Sequence, residues 1–299
     1  MEYAAHHATF AAIYVLVATG LNFVLGYCGL LSLAQASFFA LGGYGFAVAT
    51  VGFHCPTIAA LAIAAAVGGI FSLALSIPAW RLKGDYFVLA TLAFQSLVFS
   101  TLNNWARPGD PLGTPFNMTN GSLGIAGIPR LQAFHVVPIT NLAFAGVAIG
   151  ITFGLMVMVN RMAESPWTRL LRAMRDDELV VRGLGKSTHR AKLEALAIGS
   201  SLAAIAGALY ASYVGFLDPS AGSLDQSILF LSMLIVGGSG NVIGPVVGAL
   251  LLVALPEALR FLQVPDATAG PIRLLIYGGL LIAIVHARPR GAAGVYEYR

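Results

Sequence analysis

The stretch RLLRAMRDDELVVRGLGKSTHRAKLEAL, residues 169–196, gathers ten of the chain's 30 Asp, Glu, Lys and Arg residues between Arg169 and Lys192. It holds an acidic triplet, Asp176, Asp177 and Glu178, preceded by Arg172 and Arg175 and followed by GLGKST. That last hexapeptide ends like a phosphate-binding loop. Such a loop reads G-x-x-x-x-G-K-[ST], because a glycine-rich backbone between a strand and a helix must wrap its N–H groups round the phosphates. Five positions before Gly185 stands Val180, the preceding residues read as helix, and no apolar strand ending in Asp follows to hold magnesium. No cofactor is therefore expected on this chain, and any ATP and magnesium belong to a partner subunit.

Other chemistry is sparse. The six histidines form no HxxxH pair, and Cys28 and Cys55 lack the spacing of a metal or disulfide framework. No GxSxG, HExxH or paired intramembrane aspartates are present, so the chain does not read as an enzyme. Polar groups inside apolar segments are costly and often mark a transport pathway. Asn22, Gln35 and Gln95 are such groups, and Gly237, Gly238, Gly240 and Asn241 sit where glycine breaks an apolar helix. A broken helix aims backbone donors and acceptors into a cavity, which suits amino and carboxylate groups. The alternative for each amide is a hydrogen bond between helices.

The elements that must carry these residues are membrane helices. Hydrophobic residues make up 58% of the chain, charged ones 10%, and the mean hydropathy is +0.81, against about 25% charged residues in a soluble domain. The sequence predicts an all-α, polytopic integral membrane protein with one domain, residues 1–299. Nine spans, within a range of eight to ten, are expected near 9–28, 32–52, 56–80, 86–103, 137–160, 193–214, 225–239, 243–262 and 271–287. The basic residues lie mostly between or beyond these spans rather than on a soluble basic face, so the partner they imply is the bilayer and not nucleic acid. The start, MEYAAHHATF, lacks the basic region of a signal peptide, so the first span is expected to stay.

Loop charge orients the chain. With the N-terminus outside and the C-terminus cytoplasmic, thirteen Lys and Arg residues face the cytoplasm and four (Arg107, Arg130, Arg260 and Arg273) face outward. The glycine- and proline-rich loop near 104–136 is then external and irregular, and the charged loop near 161–192 is cytoplasmic. Small residues four apart, at Gly146, Gly150 and Gly154 and at Gly199, Ala203, Gly207 and Ala211, predict close helix contacts.

In the charged loop Leu170, Leu171 and Met174 recur at helical spacing opposite Arg169, Arg172, Arg175 and Asp176. Acidic residues favour a helix N-terminus. The triplet before Val180 and Val181 therefore predicts a break near Arg175 and a second short helix ended by Gly183 and Gly185. Two roles fit this pattern, a docking element for a cytoplasmic partner or a solvated loop held by anionic lipid.

Motifs along nearly the whole chain, in order, resemble the branched-chain amino acid ABC transporter permeases, particularly the LivM type. The matching segments are LNFVLGYCGLLSLAQASFFALGGYG, KGDYFVLATLAF, NGSLGIAGIPR, RAMRDDELVVRGLGKSTHRAKLEALAIGSSLAAIAGALYA and LIVGGSGNVIGPVVGA. In the fourth, Arg172, Arg175, Asp177, Glu178, Gly185, Lys192, Leu193, Ala195, Gly207, Ala208 and Leu209 match the pattern. The pattern departs where Val180, Val181 and Gly183 stand in place of alanines, which puts the fit to an ATPase cleft in question. The resemblance also implies an additional N-terminal helix, for which the charge count leaves no place.

What the resemblance implies is the translocation subunit of an ATP-binding-cassette importer in the bacterial inner membrane, moving small hydrophobic amino acids. Its partners would be a second homologous permease subunit, two cytoplasmic ATPase subunits and an extracytoplasmic substrate-binding protein. Arg172, Arg175, Asp177, Glu178, Val180, Val181 and Gly185 would form the ATPase-coupling element. Related permeases carry urea or other small amides and acids, which is the alternative within this class. A self-sufficient secondary transporter is the rival from another class, and it would need ionisable residues that the spans scarcely offer.

Overall fold

The computed structural model describes residues 2–82, 84–107, 109–131 and 140–261, with isolated positions at 275, 278 and 279. Its elements in chain order are α1 (Glu2–Leu21), α2 (Gln35–Ala47), α3 (Thr57–Arg81), α4 (Asp85–Asn104), β1 (Ile125–Ala126), α5 (Asn141–Ala163) and α6 (Pro166–Asp176). They continue with α7 (Glu178–Gly183), α8 (Thr188–Val214), β2 (Phe216–Leu217), α9 (Leu224–Gly237) and α10 (Ile243–Phe261). A helix rises about 1.5 Å per residue, so about 20 apolar residues cross the hydrocarbon core. Among the described residues five helices are that long and apolar: Glu2–Tyr27, where α1 continues in π-type winding, and α3, α4, α5 and α8.

The expected spans therefore need revision in two places. The segment near 32–52 does not begin as helix until Gln35, and α2 then runs into a second π-type turn, Val48–Gly52. The segment near 225–239 is a 14-residue helix, too short to cross alone, and it turns back at Gly238 into α10. Apart from positions 275, 278 and 279, the span near 271–287 lies outside the described residues.

Lipid offers no hydrophobic drive to bring helices together, so close backbone packing holds the bundle. Helix α8 is its axis. A Cβ on Gly207 would stand 1.8 Å from Phe39 O, one on Gly42 would meet Ala204 Cα at 2.2 Å, and one on Gly199 would meet Gly20 O at 2.6 Å. The small residues of α8 thus let α2 and α1 approach to backbone contact, as the stripe predicts. The α5 stripe differs. Gly146, Gly150 and Gly154 have nothing near their Cβ positions among the described residues, because α5 meets α1 through its other face. There Thr152 Oγ1 donates to Ala12 O at 3.2 Å.

Between α1 and α2 the chain doubles back at Gly29, whose φ of +74° is open to glycine. Irregular backbone at membrane depth survives only when buried in protein and hydrogen-bonded. Here Leu33 N donates to Thr91 Oγ1 at 3.0 Å, and Gln35 Nε2 donates to Val17 O at 3.3 Å and Gly199 O at 3.4 Å. Helix α2 therefore starts beside the C-terminal end of α1. The loop after α4 is irregular, as its composition predicts, but it is tied to the bundle. β1 pairs antiparallel with β2, Ile125 opposite Leu217, and Leu131 N donates to Ser212 Oγ at 2.6 Å.

Candidate functional site: the α6–α7 element and the α9–α10 turn

The charged loop folds as two short helices. Ser165 caps α6, its hydroxyl accepting from Thr168 N at 3.3 Å, and Pro166 occupies the first turn, where its missing N–H costs nothing. Leu171 and Met174 turn inward. The chain then extends at Asp177, whose carboxylate accepts from Leu179 N at 2.8 Å and Val180 N at 3.2 Å and so starts α7. The acidic triplet acts as a helix start, with the break two residues after Arg175. Gly183 ends α7, and Gly185 at φ +74° turns the chain into α8. GLGKST accordingly joins helix to helix, without the strand that a phosphate loop requires.

The predicted coupling residues divide into those that hold the element and those that face outward. Arg175 Nη1 donates to Gly26 O at 2.6 Å, its stem lies against Gly29, and the Arg172 guanidinium sits 5.1 Å from the Tyr27 ring centre. Both arginines fasten α6 to the end of the first span. Glu178 fastens α7 to α8, with Oε1 2.7 Å from Arg182 Nη2 and 3.0 Å from Lys192 Nζ. Lys192 is itself buried and reaches Ala79 O at 3.4 Å. Burial pushes the Glu178 carboxyl up, but the hydrogen bond and charge of Lys192, with Thr188 and Arg182, outweigh it and hold the group below its ordinary value.

Val180 and Val181, paired in sequence, point opposite ways. Val180 is 59% exposed while Val181 is 4% exposed and belongs to the core. With Leu179 at 68% and Leu184 at 73%, Val180 forms an exposed apolar patch that spacing alone does not single out. The helix start at Asp177 is legible in the sequence, but the packing of α7 on α8 sets which side faces away from the bundle.

The candidate pathway residues fall into two places. Asn22 lies fully buried against the α9–α10 turn, its Nδ2 donating to Asn241 O at 2.7 Å and its Oδ1 accepting from Gly240 N at 3.0 Å. Gly238 and Gly240 have φ of +97° and +88°, and Asn241 Oδ1 accepts from Gly244 N at 2.6 Å to start α10. Gly237 lets α9 and α10 touch, since a Cβ there would meet Gly244 O at 2.0 Å. This turn is beside α6. A cavity of about 650 Å³ separates them, lined on one side by Arg169, Arg172 and Arg175 and on the other by Gly240 and Asn241.

Gln95 lies elsewhere. Its Oε1 accepts from Ser37 N at 3.1 Å and Ser227 Oγ at 3.3 Å, as well as from Ser37 Oγ, while its Nε2 donates to Gly222 O. Ser227 Oγ also accepts from Ala36 N at 3.1 Å. These groups hold the first turn of α2 against α4 and α9. Ser37 and Ser227 were not apparent from the sequence, because a lone serine in an apolar helix commonly bonds its own backbone.

The order of elements and the glycine-broken α9–α10 pair can be compared with known proteins. The sequence profile of a family described as branched-chain amino acid transport system / permease component matches residues 3–285. The chain belongs to this family. The permease is 32% identical to the high-affinity branched-chain amino acid transport system permease protein LivM of Escherichia coli K12, over 95% of its own length and 68% of the relative's. It is 27% identical to a probable branched-chain amino acid transport permease protein LivM of Methanocaldococcus jannaschii, over 78% of its length and 67% of the relative's. An autoinducer 2 import system permease protein LsrC of Salmonella paratyphi B is 28% identical over 52% of the permease and 47% of that protein. No solved structure matches. The permease is thus an all-α, polytopic membrane protein, as its composition predicts.

Proposed function

We propose that this permease is the translocation subunit of an ATP-binding-cassette importer for small hydrophobic, branched-chain amino acids. The observation that carries the reading is the family match over nearly the whole chain, joined to a two-helix element whose apolar patch faces away from the bundle. A membrane subunit without its own nucleotide site needs such a contact to receive work from an ATPase. Leu179, Val180 and Leu184 enter a groove on that ATPase, while Arg172, Arg175 and Glu178 transmit its movement by fixing α6 and α7 to α1 and α8.

In this reading the assembly holds a second homologous permease, two cytoplasmic ATPase subunits carrying ATP and magnesium, and an extracytoplasmic binding protein. The chain sits in the bacterial inner membrane with its N-terminus outside and its C-terminus cytoplasmic, so that α6–α7 face the ATPases. The loop between α4 and α5 faces the binding protein. Asn22 and the Gly237–Asn241 turn form the cytoplasmic side of the pathway, and Gln35 and Gln95 hold the start of α2 within it.

The test is uptake of labelled leucine into vesicles holding the reconstituted complex. ATP-dependent uptake is expected; uptake that persists when ATP hydrolysis is abolished would overturn the importer reading. Uptake of urea in place of leucine would overturn the substrate but keep the class.

A further inference from the structure

We infer that the cavity between α6, the end of α1 and the α9–α10 turn binds the phosphate headgroup of an anionic phospholipid. Three guanidinium groups, from Arg169, Arg172 and Arg175, line it against a single carboxylate, Glu164. Arg175 is engaged with Gly26 O and Asp176. Arg169 and Arg172 have no ion-pair partner among the described residues, and the Arg172 guanidinium lies against Tyr27. Two uncompensated guanidiniums facing one cavity of about 650 Å³ attract an anion, and guanidinium suits phosphate because its donors form a planar fork.

Tyr27 supplies an independent sign. It lines the cavity, its side chain is fully buried, and its hydroxyl has no hydrogen-bond partner among the described residues. Buried hydroxyls are almost always satisfied, so one left open beside a cavity marks a place for a ligand's oxygen. The far wall, at Val242 and Ile243, is the start of α10, a 19-residue helix. The first N–H groups of a helix lack intrahelical partners and favour negative charge.

The remaining wall favours a lipid over a free anion. Ala163 and the 65% exposed Ile243 give the cavity an apolar side, and its rim consists of the ends of the membrane helices α1 and α5 and the start of the apolar helix α10. That is the depth at which headgroups lie, and basic pockets between helix ends are a general means of holding them. Placing the lipid in the cytoplasmic leaflet rests on the orientation proposed above; occupancy of the cavity does not.

The experiment uses the full-length protein in detergent micelles and measures retention of radiolabelled phosphatidylglycerol, with phosphatidylcholine as the neutral comparison. Phosphatidylglycerol is expected to be retained in preference, and Arg169→Gln with Arg172→Gln is expected to weaken retention about 30-fold. Arg169→Lys with Arg172→Lys keeps the charge and should retain most of the binding. Tyr27→Phe preserves the fold's volume and should weaken retention about fivefold. Equal retention of the two lipids, or unchanged retention in both the glutamine and the phenylalanine variants, overturns the site. Displacement of phosphatidylglycerol by millimolar inorganic phosphate overturns the lipid in favour of the free anion. Labelling of Lys186→Cys by an impermeant reagent from outside the cell overturns the orientation alone, whatever the micelle result.

Discussion

Arg175 Nη1 donates to Gly26 O at 2.6 Å, joining the charged two-helix element to the end of the first membrane span. Gly26 in turn sits where a Cβ would lie 2.0 Å from Asn22 Oδ1 and 2.8 Å from Gly240 N. Three segments remote in sequence, α6, the π-wound end of α1 and the α9–α10 turn, therefore meet within a few residues. Movement imposed on α6 has a short physical route to the turn.

Asn22 is the pin of that junction. Asn22→Leu removes the Asn22 bonds to Gly240 N and Asn241 O and is expected to cost about 2–6 kcal/mol, taking roughly 1–3 for each lost bond to a buried group. A fall in melting temperature in detergent, together with loss of uptake, checks it. Gly26→Ala should reproduce the defect by displacing Asn22, and an unchanged melt for both variants would remove the pin from the account.

Glu178 and Lys192 should make the α7 attachment sensitive to acid. The carboxyl is held below its usual 4.5 in the folded chain, so the stabilisation is fully present above that pH and is lost as pH falls through the lowered value. Glu178→Gln is expected to cost about 2 kcal/mol, between exposed and fully buried pairs. It should also flatten the acid limb of a melting-temperature profile taken across that range. A profile as steep as that of the wild type would show that other carboxylates govern it.

Val180 and Val181 separate docking from packing. Val180→Asp, with Leu184→Asp as a second variant, should reduce copurification with the ATPase while leaving the melting temperature of the isolated permease unchanged. Val181→Ala removes two buried methyl groups and should cost about 1.5 kcal/mol at roughly 0.8 per methylene. If the two positions behave alike, the division of α7 into an outer and an inner face is wrong.

Gly207 and Gly150 make a similar contrast within the bundle. Gly207→Ala drives a Cβ to within 1.8 Å of Phe39 O and is expected to destabilise strongly, forcing α2 and α8 apart. Gly150→Ala meets nothing among the described residues and removes a poor helix former, so it should be neutral or stabilise by up to about 1 kcal/mol. Thermal melting of the two variants side by side checks both.

What the sequence by itself determined about this permease was carried by composition and local chemistry. Apolar runs long enough for the bilayer marked the spans, because a membrane helix must satisfy its backbone internally and meet lipid with its side chains. The acidic triplet marked a helix start, because Asp177 caps its own backbone two and three residues on. Small residues at four-residue spacing marked the α8 contacts, since close approach of two backbones requires small side chains.

Tertiary structure decided which polar residues share a place. Nothing local in Asn22 or Asn241 predicts their bond across 219 residues, nor in Gln95 its bonds to Ser37 and Ser227. Periodicity places Val180 and Val181 about 100° apart on one turn of a helix, but only the packing of α7 on α8 says which of them faces out. The same packing separates the α5 glycine stripe from the α8 stripe. Identical spacing does different work because a neighbouring backbone is close to one and, among the described residues, not to the other.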